Sequence, residues 1–120
     1  MEYKITQIED KNVLESLQDG GEIKNEQDAV DLIGLCGYEK TGTALVYSSN
    51  LPEEFFDLKT SLAGKILLKF SNYSVVLVAV IPPEKIGSGH FYEMVLETNR
   101  GNAFRVFPNR DEALNWIKRT

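Results

Sequence analysis

A chain of 120 residues fits one domain and is long enough to bury a core without metal or disulfide staples. Its 42% hydrophobic and 26% charged residues are ordinary for a globular protein, and a net charge of −5 disfavours non-specific nucleic-acid binding. One cysteine, Cys36, and one histidine, His90, exclude an internal disulfide, a cysteine-based zinc site and a multi-histidine site, so no metal or cofactor is expected.

Residues 2–8 alternate around Tyr3, Ile5 and Ile8, which predicts a first strand. Val13, Leu14 and Leu17 give a short second strand after a turn near Asp10-Lys11-Asn12, and Gly20-Gly21 breaks the chain. Asn25 reads as an N-cap with Asp28 three places on. Ala29, Val30, Ile33 and Cys36 then recur at helical spacing until Gly37. Thr43 to Tyr47 is β-branched and aromatic, a third strand bounded by Gly42 and Ser48-Ser49-Asn50. Leu58, Leu62, Ile66 and Phe70 stand four apart and predict a helix over residues 57–70. Gly64 on that helix costs about 1 kcal/mol relative to alanine. With Ala63 it makes a small patch that another backbone can approach.

Val75 to Ile81 is apolar on both faces, as a central strand covered on both sides must be. Pro82-Pro83 stops it, because proline lacks the ladder donor. Gly87-Ser88-Gly89 opens a further helix whose expected buried face is Phe91, Tyr92, Val95 and Leu96, with Gly101 closing it. Ala103 to Phe107 is the last strand. Pro108-Asn109 begins the last helix, where Asn109 and Glu112 form a capping-box-like pair and Ala113, Trp116 and Ile117 pack inward. The order β-β-α-β-α-β-α-β-α argues for one α/β domain over residues 1–120, with flanking helices on a mixed, mostly parallel sheet.

No basic segment followed by an apolar run begins the chain, and Val75 to Ile81 is too short to span a bilayer. A cytoplasmic address without membrane insertion is the expectation. The charge is uneven: residues 1–98 carry a net of −8 and residues 99–120 a net of +3, from Arg100, Arg105, Arg110, Lys118 and Arg119. Solvated faces account for such a tail, and an anion-binding or docking edge is the sharper reading. Cys36 sits among Leu32, Ile33 and Leu35 and reads as a small buried hydrophobe.

The blocks Phe55-Phe56-Asp57-Leu58-Lys59-Thr60, Ala63-Gly64, Lys69-Phe70, Asn72-Tyr73 and Glu97-Thr98-Asn99-Arg100-Gly101 resemble domain-of-unknown-function family 4180, a set of small bacterial proteins. The similarity covers residues 25–117. The element order with its opening β-β pair looks like the STAS superfamily of anti-sigma-factor antagonists. The ending Arg105-Val106-Phe107-Pro108 with Ala113-Leu114-Asn115-Trp116-Ile117 is similar to sporulation-antagonist-like proteins of that group. The resemblance implies the fold and no activity. In those antagonists a serine at the start of the helix after the third strand is phosphorylated and switches partner binding. Thr60 and Ser61 fall in that region here, but Asp57-Leu58-Lys59-Thr60-Ser61 departs from the Asp-Ser-Ser-Gly pattern.

Each candidate site has a plainer alternative. Asp57 can cap a helix by accepting from N–H groups near Lys59 and Thr60, or it can mark a ligand site at that helix start. Phe55 and Phe56 staple the loop to the core, or one of them meets a partner. Asn99 or Gly101 can take a left-handed C-cap conformation, with Arg100 suiting the helix dipole. Glu97 is left to bind the Asp57–Lys59 region or a ligand. His90 reads as a surface residue, and a Ser48 or Ser88 pairing with it lacks any nucleophile-elbow motif.

These residues point to a non-catalytic regulatory or protein-interaction module, not an enzyme. Its expected binding edge comprises Phe55, Asp57, Lys59, Thr60, Glu97, Asn99 and Arg100, and its expected partner is another protein. A homodimer is also allowed, since domains of this size often pair through a sheet edge or helix face. The alternative is a small-molecule or lipid-binding protein, or an enzyme, with a cleft near Asp57, Lys59, Glu97 and His90.

Overall fold

In the computed structural model, which describes residues 1–120, five strands form one sheet in the order β1-β2-β3-β4-β5. β1 (Tyr3–Ile8) and β2 (Lys11–Ser16) make an antiparallel hairpin. β3 (Thr43–Tyr47), β4 (Val76–Val80) and β5 (Phe104–Phe107) then add in parallel. Leu14 lies beside Ala44, Ala44 beside Leu77 and Leu77 beside Phe104, so one apolar row crosses four strands.

Six helices surround the sheet: α1 (Glu26–Tyr38), α2 (Glu53–Phe56), α3 (Leu62–Asn72), α4 (Pro83–Ile86), α5 (His90–Thr98) and α6 (Arg110–Arg119). Each parallel crossover moves one strand over in the same direction, so crossovers of one hand collect α1, α3 and α5 on one face. There Leu14, Val46, Leu77, Ala79 and Val106 meet Leu32, Cys36, Ile66, Phe70, Phe91 and Val95. The alternate residues Val13, Leu45, Tyr47, Val78 and Val80 point the other way, toward Ala113, Trp116 and Ile117 of α6.

The predicted caps form. Asn25 Oδ1 accepts from the Asp28 N–H at 2.9 Å. Asn109 Oδ1 accepts from the Glu112 N–H at 2.9 Å, and Asn109 Nδ2 donates to Glu112 Oε2 at 2.9 Å. Gly20 is required where it stands: a Cβ there would lie 2.5 Å from the Glu2 carbonyl oxygen. That close approach lets the Glu2 N–H donate to the Gly20 carbonyl at 2.9 Å and ties the loop after β2 to the start of β1.

The element order is not the simple alternation expected, because α2 and α4 add single helical turns at the carboxyl ends of β3 and β4. The helix expected over residues 57–70 is divided as well. A 3-10 turn occupies Leu58–Thr60, and α3 starts only at Leu62. The Thr60 hydroxyl lies 2.6 and 2.8 Å from the carbonyls of Glu54 and Asp57, while Ser61 takes a left-handed φ of 65°. Both features break the helical path. Leu58 and Leu62 nevertheless pack against the same core as Ile66 and Phe70. Leu17 falls outside β2, in the loop that follows it. No helix is long and apolar enough to cross a membrane.

Candidate functional site

α3 leans on α1 and stands apart from α5. Between α3 and α5 runs an open groove in two adjoining parts of about 440 and 450 Å³, which share Gly64 and Leu68. Leu58, Ser61, Lys65 and Met94 line one part. Leu67, Ser71, Glu97, Thr98, Ala103 and Phe104 line the other. Leu68, on both parts of the groove, is 58% exposed; Leu96 and Tyr92 of α5 line neither part and are 50% and 42% exposed. A Cβ on Gly64 would meet nothing within 4 Å, so this small residue opens the groove to an approaching surface. Tyr92 and Leu96, expected in the core, are therefore on the surface. α5 rests Phe91 and Val95 on the core and has no close neighbour to cover its flank.

A second, smaller cleft of about 270 Å³ lies at the carboxyl edge of the sheet. Phe56, Asp57, Lys59, Gly87, Ser88 and His90 are among its walls. Asp57 Oδ1 accepts from the Lys59 N–H at 3.1 Å, so its carboxylate caps the 3-10 turn and not the long helix. The Phe56 ring packs on Phe91 at a centroid distance of 5.0 Å. Lys85 Nζ stands 4.9 Å from the Phe56 ring centroid and also pairs with Glu53. His90 is exposed, with Nδ1 3.7 Å from the Glu93 carboxylate.

The other expected site residues separate. Phe55 is 0% exposed and stacks edge-on against Phe56, Phe91 and Phe104, which takes it off the surface and into the core. Thr60 spends its hydroxyl on the turn, where it also accepts from the Leu62 N–H at 3.2 Å. Ser61 is exposed at the start of α3 and makes no side-chain cap. Glu97 is not near Asp57; it lines the α3–α5 groove and lies 3.8 Å from Arg100. Neither Asn99 nor Gly101 is left-handed: Asn99 has φ −71°. The Asn99 amide instead accepts from the Val106 N–H at 2.9 Å and donates to the Val106 carbonyl at 3.1 Å. It thus acts as a one-residue strand partner on the free edge of β5.

The family model for a domain of unknown function (DUF4180) matches residues 8–117. The chain belongs to the DUF4180 family. No curated protein and no solved structure matches it.

The most strongly perturbed group in this DUF4180 domain was not among the residues the sequence singled out. Glu15, in the middle of the sheet, has a side chain only 3% exposed. Its Oε1 accepts from Thr6 Oγ1 at 2.6 Å and from Arg110 Nη2 at 2.9 Å. Its Oε2 accepts from Arg110 Nε at 2.8 Å and from the Tyr47 hydroxyl. Burial pushes the carboxyl up, but the hydrogen bonds from Arg110, Thr6 and Tyr47 outweigh it and hold the pKa down to about 2. Burial, then the bond to Glu15, pushes Tyr47 up to about 12. Lys4, Gln18, Asp19 and Arg110 border an open depression of about 400 Å³ over this cluster. With four bonds already on the carboxylate, Glu15 has no free oxygen to offer a ligand.

The signal that could have found it was a glutamate inside a strand next to a parallel neighbour, which must have a partner. Asn50 was likewise missed. Fully buried, it accepts from the Tyr47 N–H and donates to the carbonyls of Leu17 and Gly21, all at 2.9 Å. The basic tail forms no single patch: Arg110 holds Glu15, Arg105 lies over Trp116 at 5.0 Å, Arg100 meets Glu97 and Lys118 meets Glu9. Cys36 is buried, and burial pushes its thiol up to about 11, the opposite of what a nucleophile requires.

Proposed function

We propose that this DUF4180 protein is a STAS-like regulatory module of the bacterial cytoplasm. It works by binding another protein along the groove between α3 and α5, without catalysis. The observation that carries this reading is the exposed Leu68 beside the open backbone of Gly64, in a groove whose walls also hold Leu58, Leu67 and Met94. Large apolar side chains gathered on one face favour a contact surface. The antiparallel opening pair followed by parallel strands supports the STAS-like assignment, and a buried free thiol suits a reducing compartment.

The test compares tagged wild type, Leu68→Asp and Lys59→Ala as bait in cytosol from the native organism. A partner retained by wild type and Lys59→Ala and lost with Leu68→Asp supports the groove. Partner lists that do not depend on Leu68 rule it out.

A second reading, a small-molecule or lipid site or an enzyme, draws on the convergence of Asp57, Lys59, Ser88 and His90 on the carboxyl-edge cleft. The carboxyl ends of parallel strands are where α/β sheets gather ligands. A cell-extract metabolite that shifts the amide resonances of Lys59 and His90 in wild type, but not in Lys59→Ala, would favour it.

A further inference from the structure

We infer that the outer edge of β1 pairs with the β1 of a second copy of this chain, joining the two sheets antiparallel about a two-fold axis at Ile5. The surface is separate from the α3–α5 groove. The sheet has two edges, and they differ. At β5, the carbonyls of Ala103 and Phe107 accept from the N–H groups of Leu77 and Ile81, so Phe104 and Val106 turn their backbone outward. That edge is four residues long, and the Asn99 amide occupies both groups of Val106. At β1, the Glu2 carbonyl accepts from the Leu17 N–H at 3.0 Å. Even-numbered residues therefore face β2, and the N–H and C=O groups of Tyr3, Ile5 and Gln7 face outward with nothing of the chain against them. β1 pairs one-to-one with β2 over six residues, without a bulge or a proline to blunt its edge. β2 is the only element packed closely along it, and Ile5 is 38% exposed.

The occupant is a second copy because this strand is complementary to itself in one register. With the axis at Ile5, Ile5 stands opposite Ile5 and Tyr3 opposite Gln7, so every outward N–H and C=O is paired. Lys4, the one charged residue of the strand, then faces Thr6. The neighbouring registers are worse. An axis at Lys4 sets the two lysines face to face, like charge on like. An axis at Thr6 sets Tyr3 opposite Glu9, which has left the strand with a φ of 55°. In the favoured register the two exposed Ile5 side chains lie side by side and cover each other. The closed β5 edge sets the stoichiometry: β1 cannot continue onto the β5 of a further copy, so association stops at a dimer.

Sedimentation equilibrium and amide hydrogen exchange on the purified full chain test the pairing. The wild-type mass is expected to rise with concentration from 13.5 kDa toward twice that value. Over the same range the amides of Tyr3, Ile5 and Gln7 are expected to gain protection, a readout that needs no variant. Ile5→Pro removes an outward N–H that the ladder to β2 does not use, and Ile5→Lys sets two cations side by side at the axis. Each is expected to weaken association at least about tenfold while circular dichroism stays that of the wild type. Leu68→Asp, in the groove, is expected to dimerise as wild type does. A wild type that stays monomeric to about 1 mM overturns the inference and leaves the β1 edge to an extended segment of another protein. A dimer whose Tyr3, Ile5 and Gln7 amides stay unprotected overturns it as well. So does a dimer that Leu68→Asp abolishes and folded Ile5 variants do not, which would place the contact in the groove.

Discussion

Arg110 grips both oxygens of the Glu15 carboxylate, with Nε 2.8 Å from Oε2 and Nη2 2.9 Å from Oε1. The two residues lie 95 positions apart in sequence. Glu15 belongs to β2, and Arg110 is the first residue of α6, so this fork fastens the last helix to the second strand. α6 packs over β4 and β5, and it meets β2 through Val13 in the same apolar cluster, through this fork and through the tie of Lys11 to the helix end. Tyr47, between them on β3, closes the cluster from the middle of the sheet. The fork thus adds a polar fastening at the edge of an apolar cluster that already joins α6 to the sheet.

Removing one partner of a buried pair leaves the other charge stranded. Arg110→Ala is expected to cost about 3 kcal/mol in chemical denaturation, since Glu15 keeps its burial and loses its cation. The double variant Glu15→Met, Arg110→Met removes both charges and should be more stable than Arg110→Ala. A double variant less stable than the single one would show that Arg110 acts mainly through contacts other than Glu15.

The same cluster sets an acid limit. The Glu15 carboxyl titrates near 4.5 when free and at about 2 when folded. Its contribution is therefore complete above pH 4.5 and lost as the pH falls through 2. Discounted for the half-exposed arginine, it amounts to about 2 kcal/mol. Urea midpoints measured from pH 6 to pH 2 should fall more steeply for wild type than for Glu15→Gln, with the two curves converging at the acid end. Parallel curves would mean that other carboxylates govern acid unfolding.

Asn99 gives a prediction that separates structure from binding. Its amide satisfies both backbone groups of Val106 on the outer edge of β5. Asn99→Ala should cost about 1–3 kcal/mol and should accelerate hydrogen exchange at the Val106 amide. Arg100→Ala, on the exposed neighbour, should change stability by less than about 0.5 kcal/mol. Equal effects from the two variants would count against the strand-edge role of Asn99.

Periodicity carried most of the fold. Thr43 to Tyr47 is a strand with the predicted limits, and the caps at Asn25 and Asn109 form, because these depend on neighbours in sequence. What the sequence concealed depends on distant residues. Tyr92 and Leu96 have helical spacing suited to burial, yet α5 rests on the core through Phe91 and Val95 and leaves both on the surface, which no local pattern encodes. Glu15 looked like one more polar residue until Arg110, Thr6 and Tyr47 came to it from three other elements. Asp57, Lys59 and His90 do share a cleft, while Phe55 is carried inside and Glu97 belongs to the neighbouring groove.

The break before α3 can be read as stored backbone strain. Ser61 holds φ 65°, a left-handed conformation that favours glycine, and its side chain caps nothing. Ser61→Gly should therefore stabilise the domain by about 0.5–1 kcal/mol, while Ser61→Val, with a branched Cβ, should destabilise it by about 1–2 kcal/mol. Thermal midpoints of the three proteins check the ordering. If Ser61→Gly is less stable than wild type, the serine hydroxyl has a role that the geometry of this turn does not display. If the ordering holds, the kink that ends the Leu58–Thr60 turn is a backbone device. It keeps Leu58 on the core while α3 sets out along the groove with Lys65 and Leu68 facing outward.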